Sequence, residues 1–521
     1  MDPGSSPHDA DALTPSLAHA PYAPYLANVT LPQPQTPERF LKSSRRSDEA
    51  GRPADALAEA WRAFDLAPCD RLVKAALADL LNRHPNLAGE ERREDIARLA
   101  EDGDINPATV APAAWRLLLA RDQPLRTLAG DPEALAQWLE TDGFAVRMLR
   151  ETWVPAVDAE KILTRLRRWL LLSRRWHGFP RLAEALARQA EHNGGAWPFD
   201  DDERAGIDSH PDFAAAFRPR RPELHSGAVF ADPVTRAVAD QYRGWPYPPW
   251  SRLARPAATT LPAMVEKLDG GRPSGLPVEA EILVAGCGSG HDPGMMALTF
   301  PDSRVTAIDI SETSLAEAEE RTRAAGLSGI DYRLLDLHLV AETGRAFDFI
   351  RCRGVLHHLP DPEAGWAALV DVLRPGGVMQ IMVYSRISRL QVRAARSVVA
   401  DLLDRPVDDD LLREVRRRLM DKAPQLLPLL GDFSTLAGVH DLLLHRHEDP
   451  FDVARIVRAL DRLGLELLAF DLPSPPDRAG YRREHPDDPG FRDVEAWKTL
   501  ERTQPRLFAK MLKFWCRKPA S

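Results

Sequence analysis

The 521-residue chain has only four cysteines, Cys69, Cys287, Cys352 and Cys516, and no two of them form a C-x-x-C pair. Such spacing offers neither a zinc knuckle nor a disulfide framework, so a reducing compartment and no bound metal are expected. The chain also lacks any uninterrupted apolar run near the roughly 18 residues that span a bilayer. Residues 1–25 lack the basic start and apolar stretch of a signal peptide. A cytoplasmic location with no membrane partner is the expectation. Positive charge is not in excess either, with 68 Lys and Arg against 77 Asp and Glu and a net charge of -9. Without a global attraction to polyanions, nucleic acid is an unfavoured partner.

What is present is the balance of a folded chain, 44% hydrophobic and 28% charged. Its length exceeds one ordinary core, because single cores stop growing near about 250 to 300 residues. Residues 1–37, rich in Pro and small polar residues, read as a disordered arm. Residues 38–193 carry apolar positions at helical spacing broken by Pro and Gly, which predicts an all-α domain. Within it Leu163, Leu166, Trp169, Leu170 and Leu172 share a helix face, while Arg165, Arg167 and Arg168 read as its solvated side. Gly51, Ala56, Ala63 and Pro68 resemble the second half of a tetratricopeptide repeat, although no second copy follows at the period of about 34 residues. A true array would offer a concave surface to a protein partner.

Residues 194–279 read as a connector holding an aromatic cluster, Tyr242, Trp245, Tyr247 and Trp250. Such rings either close over a ligand as a lid or cap a domain seam. From residue 280 to 521 short apolar runs alternate with amphipathic helices, the pattern of a doubly wound α/β sheet. Residues 282–285 form the first strand, and Gly286-Cys287-Gly288-Ser289-Gly290 follows it directly. Glycines there let the main chain turn and approach a ligand closely. A second strand, 304–308, ends at Asp309 and Ile310, the place of a carboxylate that binds ribose hydroxyls about 20 residues after the glycines. Ser314 and Glu317 fit a capping box for the next helix.

A third strand leads to Asp336 and Leu337, where the carboxylate can accept a hydrogen bond from an adenine amino group. The fourth runs into Arg353, Gly354, His357 and His358, then a helix capped by Asp361 with Pro362 behind it. The turn Leu373-Arg-Pro-Gly-Gly377 enters a fifth strand at 378–383. All of these candidates fall at carboxyl ends of parallel strands, where open α/β sheets bind their ligands. Residues 388–461 read as a helical insertion, with the Arg416 to Arg418 run and His440, His445 and His447 taken as solvated helix surface.

AGCGSG, AIDIS, LLDL, GVLHHLPDP and LRPGG together resemble the class I S-adenosylmethionine-dependent methyltransferase family across 281–383, with the resemblance extending toward residue 518. It implies a seven-stranded Rossmann-like sheet whose last strand is antiparallel, with residues 465–470 and 511–517 as the final two strands. S-adenosyl-L-methionine is the implied cofactor, held by residues 286–290, Asp309, Ile310, Asp336, Leu337, Arg353 and Gly354. Val284 departs from the family, which carries an acid two positions before the first motif glycine.

Methyl transfer from a sulfonium needs no covalent nucleophile. His357 or His358 is the candidate base if the acceptor must lose a proton, the alternative being packing and structural hydrogen bonds. A helical recognition half favours a protein or other large acceptor over a small metabolite. A nicotinamide-dependent oxidoreductase would want glycine at position 291, which is His291. A non-catalytic scaffold is the third reading.

Overall fold

A computed structural model describes residues 35–208, 230, 232–508 and 511–520. The expected N-terminal arm lies outside the described residues as far as 34, and the first described helix begins at Pro37. Nine longer helices follow from Pro37–Glu49 to Pro180–Asn193, and their apolar faces merge into one core running from Ala56 to Trp197. Pro53 opens the helix Pro53–Leu66 at its first position, where a missing N–H costs nothing. The helices range from 8 residues in Ala111–Leu118 to 16 in Val157–Leu172, with short 3-10 turns between several of them. The first three are 13, 14 and 13 residues long, and the later ones vary more.

The second half folds on a seven-stranded sheet: β1 Glu281–Ala285, β2 Arg304–Asp309, β3 Asp331–Leu334, β4 Phe347–Arg353, β5 Leu373–Val383, β6 Glu466–Phe470 and β7 Leu512–Arg517. Their order is β3-β2-β1-β4-β5-β7-β6, parallel from β3 through β5, with β7 antiparallel to both β5 and β6. Both faces are covered. Leu283 and Ala285 enter one core while Ile282 and Val284 enter the other, as the two-residue period of a strand requires. The fifth strand starts earlier than expected. Leu373 already pairs with Phe347, so LRPGG is an irregular strand end rather than a turn before the strand.

β1 lies between β2 and β4, so successive crossovers leave it in opposite directions and open a crevice at its carboxyl end. Four helices, Arg389–Val398, Asp409–Lys422, Leu436–Leu443 and Val453–Leu463, fill the stretch between β5 and β6. The first three share a core that also takes in Ala196, Val157 and Trp245.

Three local expectations are corrected. Ser314 does not cap its helix. The helix is Glu312–Ala324, and Ser311 accepts the Ser314 N–H at 3.2 Å, because Ser311 sits where the chain leaves the extended region. Arg167 and Arg416 are not solvated, each being 2% exposed. Arg416 grips Glu160 of the helical half through two bonds of 2.8 Å and gives further N–H groups to the Phe433 and Ala196 carbonyls. Arg167 pairs with Glu203 at 3.1 Å over the Phe199 ring. His440 and His445 are likewise buried, because the insertion folds against the helix Pro233–Gly244 and the Trp245 ring.

Candidate functional site

A single cavity of about 320 Å³ opens at the crevice, reached by the carboxyl ends of β1 to β5, the aromatic connector and the insertion. Gly286 and Gly288 form its floor with φ of 71° and 52°. A Cβ on Gly286 would stand 2.2 Å from Val355 Cγ2, and one on Gly288 would stand 2.1 Å from the Tyr247 carbonyl oxygen. Only glycine satisfies both the backbone angle and that crowding. Cys287, Ile310, Leu337, Arg353 and Gly354 line the cavity with them, whereas Ser289 and Gly290 do not. Ser289 turns away, its hydroxyl on the Pro248 carbonyl, and Gly290 packs against Ala318.

Asp309 and Asp336 both reach the cavity wall. Asp309 is half-buried, and its Oδ2 accepts the Gly288 N–H at 2.8 Å while Oδ1 accepts that of Ser311 at 2.9 Å. Desolvation pushes its carboxyl above the ordinary value despite these backbone donors. Asp336 is less deeply desolvated, and His338 offers it both a backbone N–H at 2.9 Å and Nδ1 at 3.0 Å, so that the net effect holds its carboxyl below the ordinary value. At the far side of the glycine loop Asp292 pairs with Arg351 at 3.0 Å and Arg353 at 2.8 Å.

The aromatic connector divides its labour. Tyr242 and Tyr247 line the cavity. Trp250 donates its indole N–H to the Ser289 carbonyl at 2.8 Å, and Trp245 donates to Asp409 at 3.0 Å, so both hold the seam instead.

The two neighbouring histidines also part company, because successive residues of the 3-10 turn Leu356–His358 point about a third of a turn apart. His357 is buried outside the cavity and accepts the Tyr384 N–H on Nδ1 at 3.2 Å. His358 lines the cavity and donates Nδ1–H to the His447 carbonyl at 2.9 Å. Burial pulls its pKa down to about 4, so its ring is neutral near pH 7.

Residues from the insertion complete the wall. Asp441 is 3% exposed yet borders the cavity, and it accepts phenolic protons from Tyr242 at 2.6 Å and Tyr384 at 3.1 Å. Burial, with Asp432 nearby, raises its carboxyl to about 6. His445 receives the His447 N–H on Nδ1 at 3.2 Å, which leaves the ring proton on Nε2 to donate to the Tyr242 oxygen at 3.2 Å. Hydrogen bonds thus run from His445 through Tyr242 to Asp441.

His358, Asp441 and His445 place one polar atom each within 4.8 Å of the others, a grouping that resembles a metal site. The geometry argues against it. The two rings stack 3.6 Å apart at 17°, and a lone pair in the plane of each cannot meet its partner's at the roughly 2 Å of a metal bond. Tyr242 belongs to the aromatic cluster that the sequence offers as a lid, but Tyr384, Asp441 and His445 carry no site signal there, although Asp441 and His445 stand four apart, one helical turn.

An open parallel sheet completed by one antiparallel strand, with a glycine loop at the switch point, is the fold of a class I methyltransferase. Residues 283–379 match the family model described as a methyltransferase domain. The trans-aconitate 2-methyltransferase of Variovorax paradoxus is 30% identical over 207 residues, which are 37% of this chain and 75% of that protein. An uncharacterised protein of Synechococcus is 38% identical over 33% of this chain and 42% of its own length. The ubiquinone biosynthesis O-methyltransferase of Chromobacterium violaceum is 38% identical over 19% of this chain and 41% of its own length. For the last two, then, the chain spans about two fifths of the relative's length. Among solved structures, PKMT2 from Rickettsia typhi in complex with AdoHcy covers 50% of this chain and 54% of that chain at 17% identity, with a TM-score of 0.38. The chain belongs to the S-adenosylmethionine-dependent methyltransferase family.

Among the described residues no helix is long and apolar enough to cross a membrane.

Proposed function

We propose that this protein transfers a methyl group from S-adenosylmethionine to a small acceptor held in the cavity beneath Tyr242, Tyr247 and the insertion. The observation that carries the reading is the convergence of the Gly286 to Gly288 loop with the carboxylates of Asp309 and Asp336 on one cavity. The residues present fit the cofactor: a floor that any Cβ would fill, two carboxylates for hydroxyl and amino donors, and apolar walls at Ile310, Leu337 and Met382. When bound, that cofactor supplies an electrophilic methyl on a sulfonium.

Asp309 would accept from the ribose hydroxyls and Asp336 from the adenine amino group. Gly286, Cys287, Gly288, Ile310, Leu337, Arg353 and Gly354 would form the rest of its bed, with Ser289 and Gly290 shaping the loop from behind. The protein's contribution is chiefly alignment, and a held near-attack geometry supplies about 7 to 11 kcal/mol of such a barrier. His358 faces the acceptor side as a neutral ring, and His357 supports it from behind.

The small-acceptor reading, in place of a protein surface, rests on the cavity's size at the low end of ligand sites and on its cover. The helical half then serves as a wall keyed to the insertion by Glu160 and Arg416. Calorimetry with S-adenosylhomocysteine tests the site. Micromolar binding that weakens at least tenfold in Asp309→Ala is expected, and equal affinity in that variant removes Asp309 from the cofactor site. Labelled cofactor added to a cell extract identifies the acceptor, and label appearing only in proteins would overturn the small-acceptor reading.

A further inference from the structure

The acceptor end of the cavity holds a carboxylate with no cation in contact. Among the described residues Asp441 has hydrogen bonds to the neutral hydroxyls of Tyr242 and Tyr384 and no ion pair. The nearby Arg389 is engaged by Glu448 and the Leu442 carbonyl, and Arg353 by Asp292. The rings of His358 and His445 are kept neutral by burial. Asp432 is a second carboxylate on this side, reached by the Tyr247 hydroxyl at 3.0 Å.

Arg389 eases the Asp441 charge only from a distance, and a buried ionised carboxylate without a cation in contact is costly, a cost relieved when the charge arrives on a ligand. The phenol rings of Tyr242 and Tyr247 share the cavity wall with Asp441, and aromatic faces attract a desolvated cation, whereas the Tyr384 ring already lies under the Arg389 guanidinium at 4.3 Å. A neutral alcohol would leave the carboxylate uncompensated, and an anionic acceptor would add a like charge beside it.

We infer that the acceptor is an amine bound as its ammonium ion, with Asp441 as the residue that pairs with it and takes its proton. This rests on the methyltransferase reading above. In the step, one N–H proton of the ammonium passes to an Asp441 oxygen and the freed lone pair attacks the sulfonium methyl. The N–C bond forms as the C–S bond breaks, and that electron pair stays on sulfur as a neutral thioether. The methylated nitrogen keeps the positive charge, and Asp441 returns its proton to solvent after product leaves. Tyr242 and Tyr384 hold the carboxylate oriented, and the hydrogen bond from His445 fixes the Tyr242 hydroxyl toward it.

The experiment uses the full chain saturated with S-adenosylhomocysteine and three probes of one skeleton: 2-phenylethylamine, 2-phenylethanol and phenylacetate. Calorimetry should show the amine bound about thirtyfold or more tightly than the other two, the ratio a buried charge partner commands. Asp441→Asn should erase that preference while binding S-adenosylhomocysteine unchanged. Tyr384→Phe, which keeps the ring and removes one donor, should retain the preference in weaker form and covers the case of an unfolded Asn variant. Labelled methyl should go to the amine alone, with a rate that rises as pH passes the Asp441 pKa in the wild type and loses that inflection in Asp441→Asn. Binding of S-adenosylhomocysteine without any preference for the amine overturns the inference and leaves the methyltransferase reading standing. Failure to bind S-adenosylhomocysteine at all overturns both.

Discussion

Asp309 reaches back from the end of β2 to accept the Gly288 amide N–H at 2.8 Å. Val284, two positions before the first motif glycine, is buried in the core and offers the loop no side-chain acceptor. The carboxylate from the neighbouring strand anchors the loop. Asp309 therefore has both a loop to hold and, on the reading above, a ribose to receive.

The Gly288 contact gives a direct prediction. Gly288→Ala puts a methyl group 2.1 Å from the Tyr247 carbonyl oxygen at a φ of 52°. Main chain must move, so the connector lifts from the loop. Strained backbone of this kind costs of order 1 to 3 kcal/mol. S-adenosylhomocysteine affinity should fall by tenfold or more, and a variant with native affinity would show that the connector is not seated on the loop.

Trp250→Phe keeps an aromatic ring but removes the fused second ring, so the Ser289 carbonyl loses its indole partner. An orphaned buried acceptor costs about 1 to 3 kcal/mol. The thermal midpoint should drop by a few degrees. Cofactor affinity should weaken less than in Gly288→Ala, because Trp250 lies outside the cavity lining.

Arg416 and Glu160 are 2% and 6% exposed at the side chain and join the insertion to the helical half. Removing one partner strands the other charge in the interior, at a cost of roughly 3 to 5 kcal/mol. Arg416→Ala should lower the denaturation midpoint sharply, and the double variant Glu160→Leu with Arg416→Met should recover much of the loss. An Arg416→Ala protein as stable as the parent would refute a locked interface.

Asp441 sets a pH-dependence of stability. Burial raises its folded pKa from 3.8 to about 6, so between those values the folded chain keeps a proton that the unfolded chain has released. Stability from this group therefore declines as pH rises through that window, by up to about 3 kcal/mol. His358 opposes it. With its pKa lowered to about 4, the folded chain refuses a proton that the unfolded chain takes below 6.5, and stability declines as pH falls through that range. Comparing Asp441→Asn with the parent isolates the first effect. The difference in midpoint should shift toward the variant between about pH 4 and pH 7, and a difference flat with pH would mean that Asp441 titrates normally.

Local pattern was enough to place the strands, the glycine loop, Asp309, Asp336 and the Asp361 cap, which accepts the Ala364 N–H at 2.9 Å. Each depends on neighbours a few residues away: apolar alternation makes the strand, and a glycine after it makes the turn. The burial of Arg416 and His445 escaped that reasoning, since a basic or imidazole side chain on a helix is usually solvated unless a distant partner pairs with it.

The same division governs the site. Chain order alone put Gly286, Gly288, Asp309 and Asp336 on one edge, because parallel strands joined by crossovers deliver their carboxyl ends to a common side. Nothing local joins Tyr242, Tyr384 and Asp441, of which the first and last stand 199 residues apart. Their meeting was left to the packing of the insertion against the connector and the helical half. Such contacts depend on complementary buried surfaces, which no single stretch of sequence encodes.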